Sequence, residues 1–265
     1  MMKKPNPVLA IALGAITLLR PTTAAGQSLE TETARLLPAG EIKLAGNYEA
    51  QTSSEGREFA VPLAVEFGVT DRLEFLAEPV PYTSIRPNNA SWATGWGDLE
   101  LTMTYLLRDP GPGGIAVAVA GEAKIPTARN TLIGTLKTDY TGYLIASTTH
   151  GRWRTHGNVG YSTLGKPAGI QLNNIFNFAL AEEYDLGGTS HLFGEILAST
   201  SSGVGEGEGN PNPTVPLVSE IAGAELVGTL GYARELTSGL ELSGSLSYDN
   251  NQAVLLRTTF SYRIH

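Results

Sequence analysis

Val254-Leu255-Leu256-Arg257-Thr258-Thr259-Phe260-Ser261-Tyr262-Arg263-Ile264 decides the fold. Val254, Leu256, Thr258, Phe260, Tyr262 and Ile264 form one series; Ala253, Leu255, Arg257, Thr259, Ser261 and Arg263 form the other. Successive side chains of a strand point to opposite faces, so this segment has one largely apolar face and one that carries hydroxyls and both arginines. The same period of two recurs upstream. Phe59, Val61, Leu63, Val65, Phe67 and Val69 alternate with Glu58, Ala60, Pro62, Ala64, Glu66 and Gly68, and Ser243, Ser245 and Ser247 alternate with Leu242, Gly244, Leu246 and Tyr248. Such alternation marks strands with two different faces, not helices.

Extended over the chain, the pattern predicts twelve strands, at roughly 41–50, 58–69, 73–84, 96–107, 115–126, 139–149, 153–164, 172–184, 190–200, 220–234, 239–248 and 252–264. Many approach the ~9 to 11 residues that a tilted strand needs to cross a bilayer, whereas globular strands average about 5 to 6. The connections largely alternate in length. Thr70-Asp71-Arg72, Gly151-Arg152, the Gly187-Gly188 turn and Leu236-Thr237-Ser238 are short; Ile85 to Gly95, Thr127 to Thr138 and Ser201 to Ser219 are long and polar. Arg108 to Gly114 and Asp249-Asn250-Asn251 fit this alternation less well. An outer-membrane barrel sorts its connections in this way, with short periplasmic turns and longer outer loops. The expected fold is therefore an all-β, single twelve-stranded antiparallel transmembrane barrel, with both mature termini on the periplasmic side. Trp92, Trp96 and Tyr82 at outer strand ends and Trp153 at an inner end fall where aromatic girdles lie.

Composition narrows the function classes. The 265 residues are 42% hydrophobic and 17% charged, with 31 Gly, 15 Pro and no Cys, and the mean hydropathy is −0.04. The absence of Cys removes disulfides and thiolate chemistry. The net charge of −8, with no basic run, argues against nucleic acid as a partner. Lys3 and Lys4, the apolar run from Val8 to Leu19, and Ala24-Ala25-Gly26 read as a secretory signal peptide over residues 1–26, leaving 27–265 as the barrel domain. Its removal takes away Lys3, Lys4 and Arg20 and no acid, which lowers the net charge from −8 to −11.

Several short motifs resemble the outer-membrane proteins grouped as the MetA-pathway of phenol degradation. They are Glu30-Thr31-Glu32-Thr33-Ala34-Arg35-Leu36-Leu37-Pro38-Ala39-Gly40, Val69-Thr70-Asp71-Arg72-Leu73-Glu74, Gly95-Trp96-Gly97-Asp98-Leu99, Gly121-Glu122-Ala123-Lys124-Ile125-Pro126-Thr127 and Gly157-Asn158-Val159-Gly160-Tyr161. The resemblance implies a transporter-like barrel passing small, often hydrophobic or aromatic, molecules across the bacterial outer membrane. The chain departs from the usual barrel terminus, ending Phe260-Ser261-Tyr262-Arg263-Ile264-His265 without a final aromatic residue. The expected partners are outer-membrane lipid, the barrel-assembly machinery and a small-molecule solute. No cofactor and no metal are expected.

If the apolar series faces lipid, the intervening residues face the lumen. The lumen-lining and selectivity candidates are Glu78, Asp98, Glu100, Glu122, Lys124, Arg154, Asn158, Glu195, Glu225 and Arg257, with Glu66, His156 and Asn177 on the same faces. A hairpin centred near Gly111 sets Asp98 opposite Lys124 and Glu100 opposite Glu122. The second pair puts two carboxylates side by side, which requires a raised pKa, a cation from Lys124 or Arg257, or a bound cationic ligand. The acidic cluster reads either as a selectivity constriction or as an internal salt-bridge network filling a narrow barrel.

Enzymatic signals are weak. His156, Asn158 and Ser162 share one face of a strand, but at ~3.3 Å per residue His156 and Ser162 stand about 20 Å apart, which leaves only a serine on a neighbouring strand as a partner. The four histidines are scattered, and Gly203 to Asn210 lacks the ligand spacing of a calcium loop. The alternatives to a channel are a structural or adhesive barrel and an outer-membrane lipid hydrolase.

Overall fold

The computed structural model describes residues 31–88, 91–109, 111, 113–169, 171–202 and 224–264. The expected signal peptide, the Gly203 to Asn210 stretch and the start of the expected tenth strand lie outside these residues. Fifteen strands form one antiparallel sheet: β1 (Ile42–Thr52), β2 (Gly56–Val61), β3 (Leu63–Thr70), β4 (Leu73–Pro79), β5 (Tyr82–Pro87), β6 (Ala93–Gly95), β7 (Leu99–Arg108), β8 (Ile115–Ile125), β9 (Asp139–His150), β10 (Trp153–Thr163), β11 (Ile175–Gly187), β12 (Ser190–Ser199), β13 (Glu225–Thr237), β14 (Leu240–Asp249) and β15 (Val254–Ile264). β15 pairs with β1 over eleven residue pairs, from Ile42 opposite Ile264 to Thr52 opposite Val254, so the sheet closes on itself. Closure removes the open edges that would otherwise leave backbone groups unpaired in hydrocarbon.

The fifteen strands make twelve spans, because three adjacent spans are each broken once. Pro62 separates β2 from β3, Val80-Pro81 separates β4 from β5, and Trp96-Gly97-Asp98 separates β6 from β7. Proline cannot donate to the ladder. The Pro62 carbonyl nonetheless accepts from Asn47 N–H, and the Gly97 N–H donates to Val80 O, both at 2.8 Å, which keeps the creased wall continuous. Below the crease the pairing runs β1-β3-β4-β7; above it, β1-β2-β5-β6.

The parity inferred from sequence is the inside–outside parity of the wall. On β15, Leu256, Phe260 and Tyr262 are exposed while Arg257, Thr259 and Ser261 are buried; on β3, Val65 and Phe67 are exposed while Ala64 and Glu66 are buried. Trp92, Trp96, Tyr82 and Trp153 all lie exposed on the surface. The buried face is the lumen, and the exposed face carries the apolar series, the arrangement of a transmembrane barrel. Four turns at one end carry a register shift beside them, at Gly68/Thr70, Leu106/Arg108, Asp185/Gly187 and Glu235/Thr237, so bulges cluster at one rim. The Gly151-Arg152 turn carries none: His150 pairs with Trp153 across it, and Gly151 has φ +60° as the first residue of a two-residue hairpin loop.

Leu230 is 75% exposed near the middle of β13, opposite Leu246. Leu230→Arg is expected to destabilise the barrel in phospholipid vesicles by about 2–4 kcal/mol, the range for a cation facing mid-bilayer. Urea unfolding checks this; a shift below about 0.5 kcal/mol, ordinary for a solvated surface, would show that this face is not in lipid.

Candidate functional site

The lumen is partly filled by the chain's own N-terminal segment. Thr31, Glu32, Thr33, Ala34 and Leu37 are buried inside the barrel although they belong to no strand. Leu37 N–H donates to Glu74 Oε2 (2.6 Å), Ala34 N–H to Ser147 Oγ (2.9 Å) and Thr31 N–H to Glu195 Oε1 (2.7 Å). The segment thus rises from the short-turn end past β4 and β9 to mid-height on β12. Backbone groups with no strand partner must find side chains, and lumen carboxylates supply them. The lumen face of β7, β8 and β9 is apolar at this level: Leu106, Ala118, Ala120 and Ile145 pack around Ala34, with Leu36 against them. Gly68 completes the seat, since a Cβ there would lie 2.1 Å from Pro38 O. Burial, then the nearby Glu122 and Glu66 carboxylates, push the Glu32 carboxyl up to about 8.

Above the segment lies a cavity of about 140 Å³. Glu78, Asp98, Glu100, Lys124 and Glu225 from the expected set line it, as does Glu49, whose carboxylate accepts from Arg257 Nε at 2.7 Å. Thr127 to Thr135, expected as an outer loop, folds inward instead. Ala128, Leu132 and Ile133 pack against Ile85 and Ala93, while Ala128 N–H donates to Asp98 Oδ1 at 3.0 Å and Thr127 Oγ1 to Gly97 O at 2.7 Å.

The expected register between β7 and β8 is corrected. The turn is centred beyond Gly111, with Arg108 opposite Val117, and the one-residue bulge at Leu106/Arg108 only partly offsets this, so the pairing lies two residues from the expected one: Lys124 faces Glu100 and Glu122 faces Thr102. Lys124 nevertheless reaches diagonally to Asp98 Oδ2 at 4.0 Å and forms an ion pair with Asp139, directly opposite on β9, with Thr135 Oγ1 at 3.5 Å. The side-by-side carboxylates are therefore Glu100 and Glu78, paired across β7 and β4, and not Glu100 and Glu122. Arg257 bonds Glu49 and hydrogen-bonds neither Glu78 nor Glu100.

The remaining expected residues lie elsewhere on the lumen face. Glu122 accepts from Tyr143 Oη at 3.0 Å, Glu195 holds Thr31, and Asn158 is buried on β10. Arg154 pairs with Glu183 at 2.7 Å near the short-turn end. Glu183 also meets His156 Nε2 at 3.0 Å and His191 Nε2 at 3.4 Å, and His156 Nδ1 lies 2.8 Å from Ser147 Oγ. This serine on the neighbouring strand supplies the contact that Ser162 could not; Ser162 instead bonds Thr141 and Asn177. Ser147 is buried beneath Ala34, which occupies its oxygen, and Glu183 is shared among three cations or imidazoles. The chain of contacts ties β9, β10, β11 and β12 to the N-terminal segment.

Solved structures share this architecture. An outer-membrane channel from Pseudomonas putida F1 aligns with TM-score 0.64 at 13% identity, over 87% of this chain and 98% of that one. The KdgM porin, solved in complex with disordered oligogalacturonate, aligns with TM-score 0.56 at 8% identity over 84% and 99%. The translocator domain of the autotransporter NalP from Neisseria meningitidis aligns with TM-score 0.53 at 12% identity over 97% and 98%. The chain has the fold of an outer-membrane barrel. No protein-family model and no curated protein matches the sequence. A channel, a porin and a translocator on one scaffold show that the site, not the barrel, must carry the functional argument.

Two inward aromatics escaped the sequence reading, and both had a signal. Tyr143 pairs with Gly160, and Phe193 with Gly231. In each case a Cβ on the glycine would meet the aromatic ring, at 2.7 Å and 2.1 Å. An aromatic whose cross-strand partner is glycine lies over that glycine instead of projecting across the lumen.

Proposed function

We propose that this protein is an outer-membrane channel that passes small molecules and favours cations, a member of the transporter-like group that its short motifs resemble. The observation that carries this reading is the acidic cavity enclosed by a closed barrel wall: among the described residues its lining holds Glu49, Glu58, Glu78, Asp98, Glu100, Glu225 and Asp249 against the single cation Lys124. Charge of one sign inside low-dielectric walls concentrates ions of the opposite sign. The fold likeness to a channel and a porin supports transport as the use of this lumen. In this reading the short turns are periplasmic, lipid surrounds the exposed belt, and the chain reaches the membrane through the barrel-assembly machinery.

A lipid hydrolase is the weaker reading, because Ser147 and His156 face the lumen and not the lipid side. Planar-bilayer recording with a salt gradient tests the proposal. Steps of conductance with a reversal potential on the cation side are expected, and Glu78→Gln with Glu100→Gln moves that potential toward zero. An impermeant barrel overturns transport; unchanged selectivity in the double variant overturns the acidic filter.

A further inference from the structure

Glu78 and Glu100 are neighbours across β4 and β7, and each is only 3% exposed. Both line the 140 Å³ cavity, and none of their four carboxylate oxygens has a hydrogen-bond partner. Three other acids of the cavity are occupied, Glu49 by Arg257, Asp98 by Lys124 and Ala128 N–H, and Asp249 by the N–H groups of Asn251 and Ala253, whereas Glu58 keeps one buried oxygen, Oε1, without a hydrogen-bond partner; Glu78 and Glu100 alone in this group of buried oxygens sit side by side on paired strands. Lys124 stands across the ladder from Glu100 but is shared with Asp98 and Asp139, and Arg257 is bonded to Glu49, so two adjacent buried carboxylates without hydrogen bonds remain costly unless further positive charge or protons arrive. The same lining carries the apolar side chains of Ala60, Val80, Ile133, Leu197, Val227 and Leu255. A cavity of roughly 150 Å³ with apolar walls holds a benzene ring, so this one has room for a single ring beside the acid pair. Among the described residues no group of three or more side chains is spaced to hold a metal ion, which favours an organic cation.

We infer that the Glu78–Glu100 pair and the apolar part of the same lining bind a small organic ammonium ion carrying one ring-sized apolar group. The ammonium donates to the two carboxylates, and the ring lies against Val80, Ile133 and Leu197. The inference rests on the channel reading only for its physiological meaning, as the substrate class of the same lumen; binding itself does not require permeation.

The test is calorimetric titration of the full-length protein, folded in detergent, with benzylamine, benzyl alcohol and benzoate at pH 7.5. Saturable binding of benzylamine is expected, tighter than benzyl alcohol by about tenfold or more, with no binding of benzoate. Glu78→Gln and Glu100→Gln, each checked for folding by heat-dependent gel mobility, are each expected to weaken benzylamine about tenfold and leave benzyl alcohol unchanged. Equal affinity for the amine and the alcohol overturns the inference, because it means a protonated pair beside a merely apolar cavity. Displacement of benzylamine by equimolar Mg²⁺ overturns it in favour of a metal site. Bilayer recording on the same preparation separates the two readings: conductance without amine binding sinks this inference alone, and amine binding without conductance sinks the channel alone.

Discussion

Deletion of Thr31–Pro38 is expected to raise the single-channel conductance several-fold while the barrel still folds. The segment is held inside by three backbone N–H groups donating to Glu74, Ser147 and Glu195 and by Ala34 and Leu36 against the lumen face of β7 to β9. The wall closes independently of it, through the β15–β1 ladder. Gly68→Ala is an independent perturbation, since its methyl would press on Pro38 O and Leu37 O, which are backbone atoms with no rotamer to yield. It should reproduce part of the effect as frequent openings. The pH dependence has a definite sign. Glu32 binds its proton more tightly when docked, up to about 8 from an ordinary 4.5, so docking is strongest below about pH 4.5 and weakens as pH rises to 8. The intact channel should therefore open more at pH 9 than at pH 5, and Glu32→Gln should flatten this difference. Equal conductance of the deleted and intact chains would mean that ions pass around the segment.

Lys124→Met is expected to destabilise the barrel by about 3 kcal/mol or more, within the range for removing one partner of a buried ion pair. Lys124 is the shared cation of Asp98 and Asp139, and it also faces Glu100 across the ladder. Its loss leaves three acids at the constriction with no nearby lysine. Urea unfolding in vesicles reads the stability, and the reversal potential should move further toward the cation side. Asp139→Asn added to Lys124→Met should restore part of the stability, because it removes one of the stranded charges. A shift below about 1 kcal/mol, as for a solvated surface pair, would show that lumen water screens Lys124.

The barrel itself was legible because its signal is local and repeated. Each span reports its two faces through alternation, so Arg257, Glu66, Asn158 and Glu195 could be assigned to the lumen without knowing any neighbour. Pairing partners were less legible. A β7–β8 turn centred beyond Gly111 places Glu100 beside Lys124 and not beside Glu122, and a two-residue slip of this kind leaves the alternation unchanged, while the separate β4–β7 ladder sets Glu78 beside Glu100. The inward path of Thr31–Pro38 and of Thr127–Thr135 left only indirect traces. Ala118 and Ala120 stand where other spans place polar lumen residues, and Gly68 stands where a side chain would collide with the entering chain.

The amino-acid sequence by itself determined twelve spans, their lipid-facing and lumen-facing sides, and an interior rich in acid, because strand parity and the cost of charge in hydrocarbon act on each residue separately. Only the tertiary structure decided which acids are compensated. The β4–β7 register sets Glu78 beside Glu100, and the engagement of Lys124 and Arg257 elsewhere leaves both carboxylates without hydrogen-bond partners at a part-apolar cavity; such juxtapositions depend on register and on distant segments meeting, which no single strand encodes.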